Sequence, residues 1–326
     1  MALTYTELQS ITNDYFMLDN KAATDIYFNT SFLLDLYMNK KRGLFERPSG
    51  GERIRVPLQY DGSEGGFYSR TSTLSSDDRV NINAAYFQWK HAYGNATVYR
   101  IDELSNATEY AEVQMVTQKI SAAQQTATKH LATQLYSAAS DSADELSGLL
   151  SMCFGGTSTQ YGGIIPTDLL CADGVTTPWA SANTTTTEGI SLAVIRTLAS
   201  SAKVNDGAKG KPDVGVCTEA LFNIVSGILQ TQQRFQTDAD TVKAGFTHIV
   251  FESKIIAADD YGPSGYLFLI NSNYFGAAIH RDGFFARTPW GDLIITGTVA
   301  RSMKIFWDGN FICSRRKAHA GHSNLS

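Results

Sequence analysis

The sequence has few charged residues for its length and no excess of positive charge. Charged side chains make up 18% of the 326 residues, and 27 basic against 32 acidic residues give a net charge of −5. A chain this poor in charge is typical of a protein that buries part of its surface against partners. The negative balance gives no general attraction for nucleic acid. The small basic clusters Lys40-Lys41-Arg42 and Arg315-Arg316-Lys317 are interpreted as solvated surface or tail.

Paired cysteines and long apolar runs are also missing. The four cysteines, Cys153, Cys171, Cys217 and Cys313, form no C-x-x-C pair, so we expect reduced, mostly buried thiols. No apolar run approaches the ~20 residues of a transmembrane helix, and the start of the chain lacks the basic and apolar segments of a secretory signal. We therefore expect no membrane partner.

Two fragments imitate catalytic motifs but lack residues that the chemistry needs. His280-Arg281-Asp282 copies the kinase catalytic triplet, but Arg287 stands where a metal-binding Asn is required. The segment Gly207 to Lys211 has the wrong spacing for a phosphate-binding loop, and Pro212 replaces its Ser or Thr. We interpret the first as chance and the second as a turn.

Candidate metal ligands are equally sparse. Asp238, Asp240 and the pair Asp259-Asp260 lack the further oxygen ligands of a calcium loop and are interpreted as turn residues. His319 and His322 are assigned to a polar tail without zinc-ligand spacing. The sequence thus predicts no catalytic residue, no metal and no cofactor, although a site assembled from distant residues would escape a motif search.

What the chain does contain is a pair of alternating apolar runs. One covers Glu52 to Tyr60, and the other starts at Val80 and continues through Ala85 and Phe87 to Tyr93. A Gly- and Ser-rich stretch, 61–78, separates them. This pattern predicts a long hairpin with a flexible tip. Two strands alone are marginal in water, so either a later strand or another copy of the chain must complete the hairpin. We favour another copy, with these predicted intersubunit contact residues: Ile54, Val56, Leu58, Tyr60, Phe87, Trp89 and Tyr93.

A long helix is predicted next, from Ser105 to about Ala138. The stretch has no Gly or Pro, and apolar residues from Val113 to Leu135 recur at steps of three or four. Such a helix is about 50 Å long and needs an equally long surface to lie on. A coiled coil is disfavoured because alanines occupy core positions and flanking charge pairs are missing.

The other segments indicate alternating helices and strands. Helical spacing from Asp25 to Met38 lies in an otherwise loose arm that extends to about Arg47. Two more helices are predicted, one opened by a Thr185-x-x-Glu188 capping box and ending near Ala202, the other capped by Thr218. Strands are predicted at Val214–Cys217, His248–Ile256, Tyr266–Ile270 and Leu293–Val299. A hairpin is predicted over Lys304–Cys313, with its turn at Asp308-Gly309.

In their order, several segments resemble one known family, the major capsid proteins of tailed phages, whose fold is named after phage Hong Kong 97. The segments that carry the resemblance are Tyr86-Phe87-Gln88-Trp89-Lys90, Gly162-Gly163-Ile164-Ile165, Lys211-Pro212-Asp213-Val214, Gln232-Gln233-Arg234-Phe235, Ala244-Gly245-Phe246 and Tyr266-Leu267-Phe268-Leu269-Ile270-Asn271.

The resemblance implies an α+β, Hong Kong 97-like capsid fold in four parts. Residues 1–49 would be an N-terminal arm and 50–100 an extended hairpin loop. Residues 101–165 and 293–326 would form a peripheral domain with a long spine helix, and 166–292 an axial α/β domain.

The implied function is that of a coat protein and not an enzyme. Copies of the chain would assemble through hexamers and pentamers into an icosahedral shell around double-stranded DNA, packaged without sequence specificity. Other implied partners are a portal protein and a separate scaffolding protein, since the chain begins with the arm. The protein would be located in the virion after assembly in the host bacterial cytoplasm.

Three alternatives remain open at this point. A shell protein of an encapsulin-type nanocompartment, holding protein cargo, would share the fold. A hydrolase or transferase with an unrecognised site is a second alternative. A different virion part, such as a tail tube or decoration protein, is the third.

Overall fold

The computed structural model describes residues 31–38, 43–74, 79–105, 109–139, 141, 143–171, 173–230, 248–293 and 299–326. Several expectations from the sequence fall on other residues. These are the first part of the predicted N-terminal helix (25–30), the basic cluster 40–42, the aspartates 238 and 240, the family segments 232–235 and 244–246, and most of the predicted strand 293–299.

The described residues form short helices, one long helix and many strands. The helices are α1 Phe32–Met38, α2 Arg100–Ser105, α3 Glu109–Leu135, α4 Leu149–Phe154, α5 Leu192–Ser201 and α6 Glu219–Gln230. The strands are β1 Leu44–Glu46, β2 Arg53–Gln59, β3 Ile82–Gln88, β4 Lys90–Tyr99, β5 Ala182–Thr184, β6 Val214–Cys217, β7 His248–Phe251, β8 Lys254–Ala258, β9 Leu267–Ile270, β10 Phe275–Ile279, β11 Ala286–Arg287, β12 Gly291–Asp292, β13 Ala300–Cys313 and β14 Ala320–His322. No helix among the residues described is long and apolar enough to cross a bilayer.

The chain divides into two compact units, and the larger contains Thr30–Lys90, Ala132–Arg281 and Gly309–Ser326. Its main sheet has the strand order β5-β14-β9-β6-β8-β7. The central strands β6 and β9 are buried along their whole length, as expected for strands covered on both faces. Helices α5 and α6 contribute Ile195, Leu198 and Val225 to the core on this sheet.

The start of helix α5 differs from the prediction. The helix begins at Leu192, with Ser191 as its N-cap and the Ser191 hydroxyl accepting a hydrogen bond from the backbone N–H of Val194. Thr185 and Glu188 therefore lie before the helix and do not form its capping box. The Glu188 carboxylate instead contacts the His322 imidazole at 2.6 Å.

The expected hairpin at Asp308-Gly309 is also wrong. Residues Ala300–Cys313 form one strand of 14 residues, and Gly309 does not adopt the positive φ that a two-residue hairpin turn would require. Gly309 instead pairs with Ile279 of β10. A D-G pair is a turn signal only where no neighbouring strand competes for its backbone hydrogen bonds.

The C-terminal segment is core and not the solvated tail predicted from its charges. Arg316 is fully buried, and its guanidinium donates to the carbonyl oxygens of Met152 and Ser151 at 2.7 and 3.0 Å. His319 and His322 are buried as well. Burial lowers the pKa of His319 to about 3, so this imidazole is neutral.

The smaller unit contains His91–Leu131 and Asp282–Asp308 among the residues described. The first part of β13 pairs antiparallel with β11 and β12, and β13 also pairs with β4. Helix α3 packs there through Ala123, beside Ala96, Met303 and Ile305. This helix, Glu109–Leu135, confirms the long helix predicted from Ser105 to about Ala138.

Gly94 allows strand β4 to approach helix α3 closely. A Cβ at this position would lie 2.1 Å from the Ala123 carbonyl oxygen, which belongs to the helix backbone and has little freedom to move. We expect Gly94→Ala to destabilise the protein by about 3 kcal/mol, measured as a lower midpoint in urea unfolding. Gly227→Ala is the matched control, because its Cβ meets nothing within 4 Å on helix α6 and should stabilise by about 0.5–1 kcal/mol. Equal effects of the two substitutions would contradict this packing.

Candidate assembly surface

The predicted hairpin is confirmed as an antiparallel pair of β2 and β3. Its register places Ile54 opposite Phe87, Val56 opposite Ala85 and Gln59 opposite Ile82. Because side chains alternate between the faces of a strand, this register separates an inner face from an outer face. Ile54, Val56 and Leu58 are buried on the inner face. The remaining β2 side chains, from Arg53 to Gln59, are exposed on the outer face.

The inner face is covered by the same chain. The Phe87 ring packs edge-on against Tyr161, with ring centroids 5.5 Å apart. The backbone N–H of Tyr86 donates to the Gly162 carbonyl at 2.8 Å. A cavity of about 270 Å³ remains beside Leu58 and Trp179. The base of the hairpin therefore has its own partner within the larger unit.

Four of the predicted contact residues are buried within their own chain. Ile54, Val56, Leu58 and Phe87 are at most 9% exposed. The irregular segment around Gly162 lies against the inner face, where a Cβ at Gly162 would come within 3.0–3.3 Å of the Phe87 and Ala85 side chains. Alternation alone does not reveal such a partner, and a role of the four residues in contacts between copies stays a prediction.

Tyr60, Trp89 and Tyr93 have different surroundings. Tyr60 and Trp89 are half-buried in the larger unit, and the Trp89 indole N–H donates to the Gly51 carbonyl at 2.8 Å. Tyr93 lies in the smaller unit and is 62% exposed, with the Lys304 ammonium 5.9 Å from its ring centroid. Their role in contacts between copies stays a prediction.

The second alternating run does not continue along the hairpin as predicted. Strand β3 ends at Gln88, and β4, which starts at Lys90, pairs with β13 instead. The buried Lys90 ammonium marks this break, because it donates to the backbone carbonyls of Asp141 and Ala143. Burial lowers the pKa of Lys90, and the nearby Asp141 and Asp144 carboxylates oppose that shift.

Apart from Val175, the most exposed large apolar side chains described in the larger unit lie at the tip and outer face of the hairpin. Phe67, Tyr68 and Leu74 are 110%, 73% and 65% exposed, and Val80 and Ile82 are 81% and 65% exposed. We call these five residues the tip patch. None of the five is among the contact residues predicted from the alternating pattern. The signal was present, because the step from Ile82 to Ala85 breaks the period of two and moves Ile82 to the outer face.

The smaller unit also exposes apolar side chains. Tyr99, Ile101 and Leu104 are 51%, 76% and 67% exposed around the short helix α2. Val299 is 57% exposed, and its carbonyl accepts a hydrogen bond from the Arg100 backbone N–H at 3.2 Å. Contiguous exposed apolar side chains are typical of interaction surfaces.

Three candidates that the sequence motifs raised lie in structural contacts or turns. The Asp259 carboxylate is buried and accepts hydrogen bonds from the Ser31 hydroxyl at 2.7 Å and the Leu33 N–H at 3.2 Å, at the start of helix α1. The His280 ring packs against Trp89, with centroids 5.7 Å apart. Gly207–Gly210 is a 3₁₀ turn before β6, in agreement with the predicted turn.

The cysteines are free thiols, as expected, and three of them are buried: Cys153, Cys217 and Cys313. Burial raises the pKa of Cys217 and of Cys313 to about 12, which keeps these thiols protonated. Within the described part of the chain, no cluster of three or more His, Cys, Asp or Glu side chains could hold a metal ion.

Comparison with known proteins gives similarity in structure alone. No protein-family model and no curated protein matches the sequence. A chain of the cyanophage A-1(L) capsid superposes with a TM-score of 0.69 at 14% identity, covering 95% of this chain and 98% of that one. A chain from the capsid of the native GTA particle gives 0.60 at 11% identity, with 96% and 97% covered.

An encapsulin is similar as well. The encapsulin of the holo-SrpI complex from Synechococcus elongatus superposes with a TM-score of 0.59 at 10% identity, covering 100% of this chain and 97% of that one. Each of these superpositions covers at least 95% of this chain. The chain therefore has the α+β capsid fold of tailed phages, the Hong Kong 97-like fold that its sequence resembles.

Proposed function

We propose that this chain is the major coat protein of a tailed double-stranded-DNA phage, whose copies assemble through hexamers and pentamers into an icosahedral shell. The observation that carries the proposal is the tip patch on a capsid fold: Phe67 and Tyr68 project from the hairpin and are 110% and 73% exposed, without cover from the described part of their own chain. Burying such a side chain contributes about 1.5–3 kcal/mol. A neighbouring copy supplies the missing cover.

The contacts of a shell subunit are individually modest. A stable pairwise interface buries over ~1,000 Å², but a subunit with several neighbours is held by their sum. Weak single contacts allow misplaced subunits to leave. In this proposal the tip patch and the exposed Tyr93 contact neighbours directly, whereas Tyr60 and Trp89 support the hairpin at the edge of that contact.

The proposal includes the four-part organisation that the sequence resemblance implies. Residues 1–49 act as an arm, 50–100 as the extended loop, 101–165 with 293–326 as the peripheral domain, and 166–292 as the axial domain. A portal protein, a separate scaffolding protein and packaged DNA are the proposed partners. The role is structural and not enzymatic, in the virion after assembly in the bacterial cytoplasm.

Assembly of the purified protein tests the proposal. We expect particles of megadalton mass, alone or with a co-expressed scaffolding protein, seen by negative-stain microscopy and sedimentation. The physical reason is that the exposed apolar surface of each copy is buried only in a closed shell. A monodisperse subunit of 35.6 kDa that never assembles under any condition would refute the coat-protein role.

A nanocompartment shell is the second candidate, because the encapsulin superposes almost as well as the GTA capsid. The contents of particles isolated from the native host separate the two. DNA that resists DNase until the shell is opened supports the phage coat. A single co-purifying protein, with no protected DNA, supports the nanocompartment.

A further inference from the structure

Five aspartates in the sequence are followed directly by a glycine. An Asp-Gly step can rearrange without an enzyme, because glycine has no side chain to shield its nitrogen and the chain can turn that nitrogen toward the aspartate carboxyl group. The five steps are Asp61-Gly62, Asp173-Gly174, Asp206-Gly207, Asp282-Gly283 and Asp308-Gly309. Because the local chemistry is the same in all five, the surrounding structure decides which of them reacts.

The step Asp61-Gly62 has its reacting groups side by side. The Gly62 N–H donates to Oδ1 of the preceding Asp61 at 2.8 Å. Gly62 is exposed, and a Cβ there would meet no atom within 4 Å. The step follows Tyr60, whose N–H donates to Asn81 O at 3.0 Å beyond the last register pair of β2 and β3. It therefore lies outside the pairing of these strands and is open to solvent.

At Asp173 and Asp206 the carboxylate binds other donors. Asp173 accepts with Oδ1 from the Val175 and Thr176 N–H groups at 3.0 and 2.8 Å, and with Oδ2 from the Thr176 hydroxyl. Asp206 accepts with Oδ2 from the Tyr274 hydroxyl. These hydrogen bonds direct each carboxylate toward groups other than the nitrogen of the glycine that follows it.

The last two steps are fixed by packing against each other. Gly283 is buried, and a Cβ there would lie 2.6 Å from Cβ of Asp308. The Asp308 N–H donates to Gly283 O at 2.9 Å, and Asp308 Oδ1 lies 2.6 Å from Nδ1 of His91. Gly309 lies inside strand β13 and pairs with Ile279. A ring can close at Asp308 only after the strand opens locally.

We propose that Asp61-Gly62 is a site of spontaneous isomerisation, at which the folded chain converts aspartate to isoaspartate. The Gly62 nitrogen bonds to Cγ of Asp61, and the bond from Cγ to one carboxyl oxygen breaks. That oxygen leaves as water, with the amide proton and one proton from the solvent, and a five-membered succinimide ring results. Water then cleaves the ring at the former main-chain carbonyl of Asp61, so Gly62 stays attached through Cγ. Nothing is oxidised or reduced, and the product has the mass of the original chain.

The product has one more carbon in the main chain just before the tip patch. The loop at this point is held by the Arg79 guanidinium, 3.5 Å from the Glu64 carboxylate, and by the Asn81 amide, which donates to the Ser63 hydroxyl at 3.4 Å. The extra carbon moves Ser63 and Glu64 relative to these partners and so changes the direction in which Phe67 projects. The isomerisation concerns the chain itself and does not depend on the coat-protein role.

Peptide mapping of aged, unassembled subunits tests the proposal. After weeks at neutral pH, trypsin releases Val56–Arg70, in which Asp61 is the single Asp and there is no Asn, and Ile305–Arg315, which contains Asp308. The isomers have equal mass but separate by chromatography, and a protein isoaspartate methyltransferase labels the new carboxyl group with a methyl group from S-adenosylmethionine. We expect isoaspartate to form at Asp61 more than about tenfold faster than at Asp308, because Asp308 requires local opening.

Unfolded protein and two variants provide the controls. In concentrated guanidinium chloride the two peptides should isomerise at similar rates, because both steps then sample the same conformations. Gly62→Ala should slow the reaction at Asp61, since its methyl group shields the nitrogen, whereas Gly66→Ala in the same loop should leave the rate unchanged. A Cβ meets no atom within 4 Å at either glycine. Equal rates in the folded protein, no isoaspartate at Asp61, or the same preference in the unfolded chain would overturn the proposal.

Discussion

Replacing residues 61–78 with the dipeptide Asn-Gly is expected to leave a folded subunit that no longer forms closed particles. The replaced segment contains Phe67, Tyr68 and Leu74 of the tip patch, which are exposed and therefore contribute little to the stability of their own chain. The Tyr60 N–H donates to Asn81 O at 3.0 Å at the end of the two strands. The inserted Asn-Gly with Arg79 and Val80 forms a four-residue loop between this pair, a length that hairpins accept.

The size of the effect follows from the lost burial. Two large side chains at about 1.5–3 kcal/mol each amount to at least about 3 kcal/mol per contact, or more than a hundredfold in a pairwise dissociation constant. Sedimentation measures assembly, and urea unfolding measures the stability of the unassembled subunit. The unfolding midpoint should change little.

A matched variant tests whether the tip patch or the length of the loop matters. Phe67→Ser with Tyr68→Ser keeps the loop but removes its two aromatic rings, and it should lose most of the assembly as well. If the shortened hairpin formed normal shells, the hairpin would not be an assembly arm. If only the shortened hairpin failed, loop length and not apolar contact would be responsible.

Arg316→Ala is expected to cost the subunit about 3 kcal/mol or more in free energy of unfolding. The guanidinium is fully buried, donates to Met152 O and Ser151 O, and lies 5.3 Å from the Tyr161 ring centroid. Its removal leaves two buried carbonyl oxygens without these donors and opens a cavity against an aromatic ring.

The neighbouring Lys317 provides the control. It belongs to the same basic triplet but is exposed, so Lys317→Ala should change the free energy of unfolding by no more than about 0.5 kcal/mol. Urea unfolding of unassembled subunits measures both. Similar small effects would mean that the triplet is the solvated tail expected from its charges, and would contradict the buried position of Arg316.

Local patterns predicted the elements whose environment is uniform along their length. The strand Val214–Cys217 was predicted with its observed bounds, because a short run without charged residues, placed between a turn and a helix cap, is typical of a buried strand. Helix α3 was predicted to within a few residues, since the stretch lacks helix breakers. The pairing of β2 with β3 was predicted because two alternating runs flank one Gly- and Ser-rich stretch.

Predictions failed where a distant segment supplies the partner. Asp308-Gly309 reads as a turn but lies inside a strand, because β10 accepts the pairing of Gly309. Arg316 and the C-terminal histidines are polar but buried, because distant segments supply their partners. The Met152 and Ser151 carbonyl oxygens accept from Arg316, and the Asn271 N–H donates to His319. None of these partners is near in sequence, so no local pattern contains them.

The candidate site shows the same division. The sequence by itself determined that this chain has a two-stranded hairpin and a long helix, because periodicity and turn chemistry act over neighbouring residues, and the capsid fold was implied by its resemblance to a known family. Only the tertiary structure decided which side of the hairpin is free. The inner face packs on Tyr161 and Gly162, whereas Phe67, Tyr68 and Ile82 remain exposed. Alternation separates two faces, but burial depends on what the rest of the chain places against each of them.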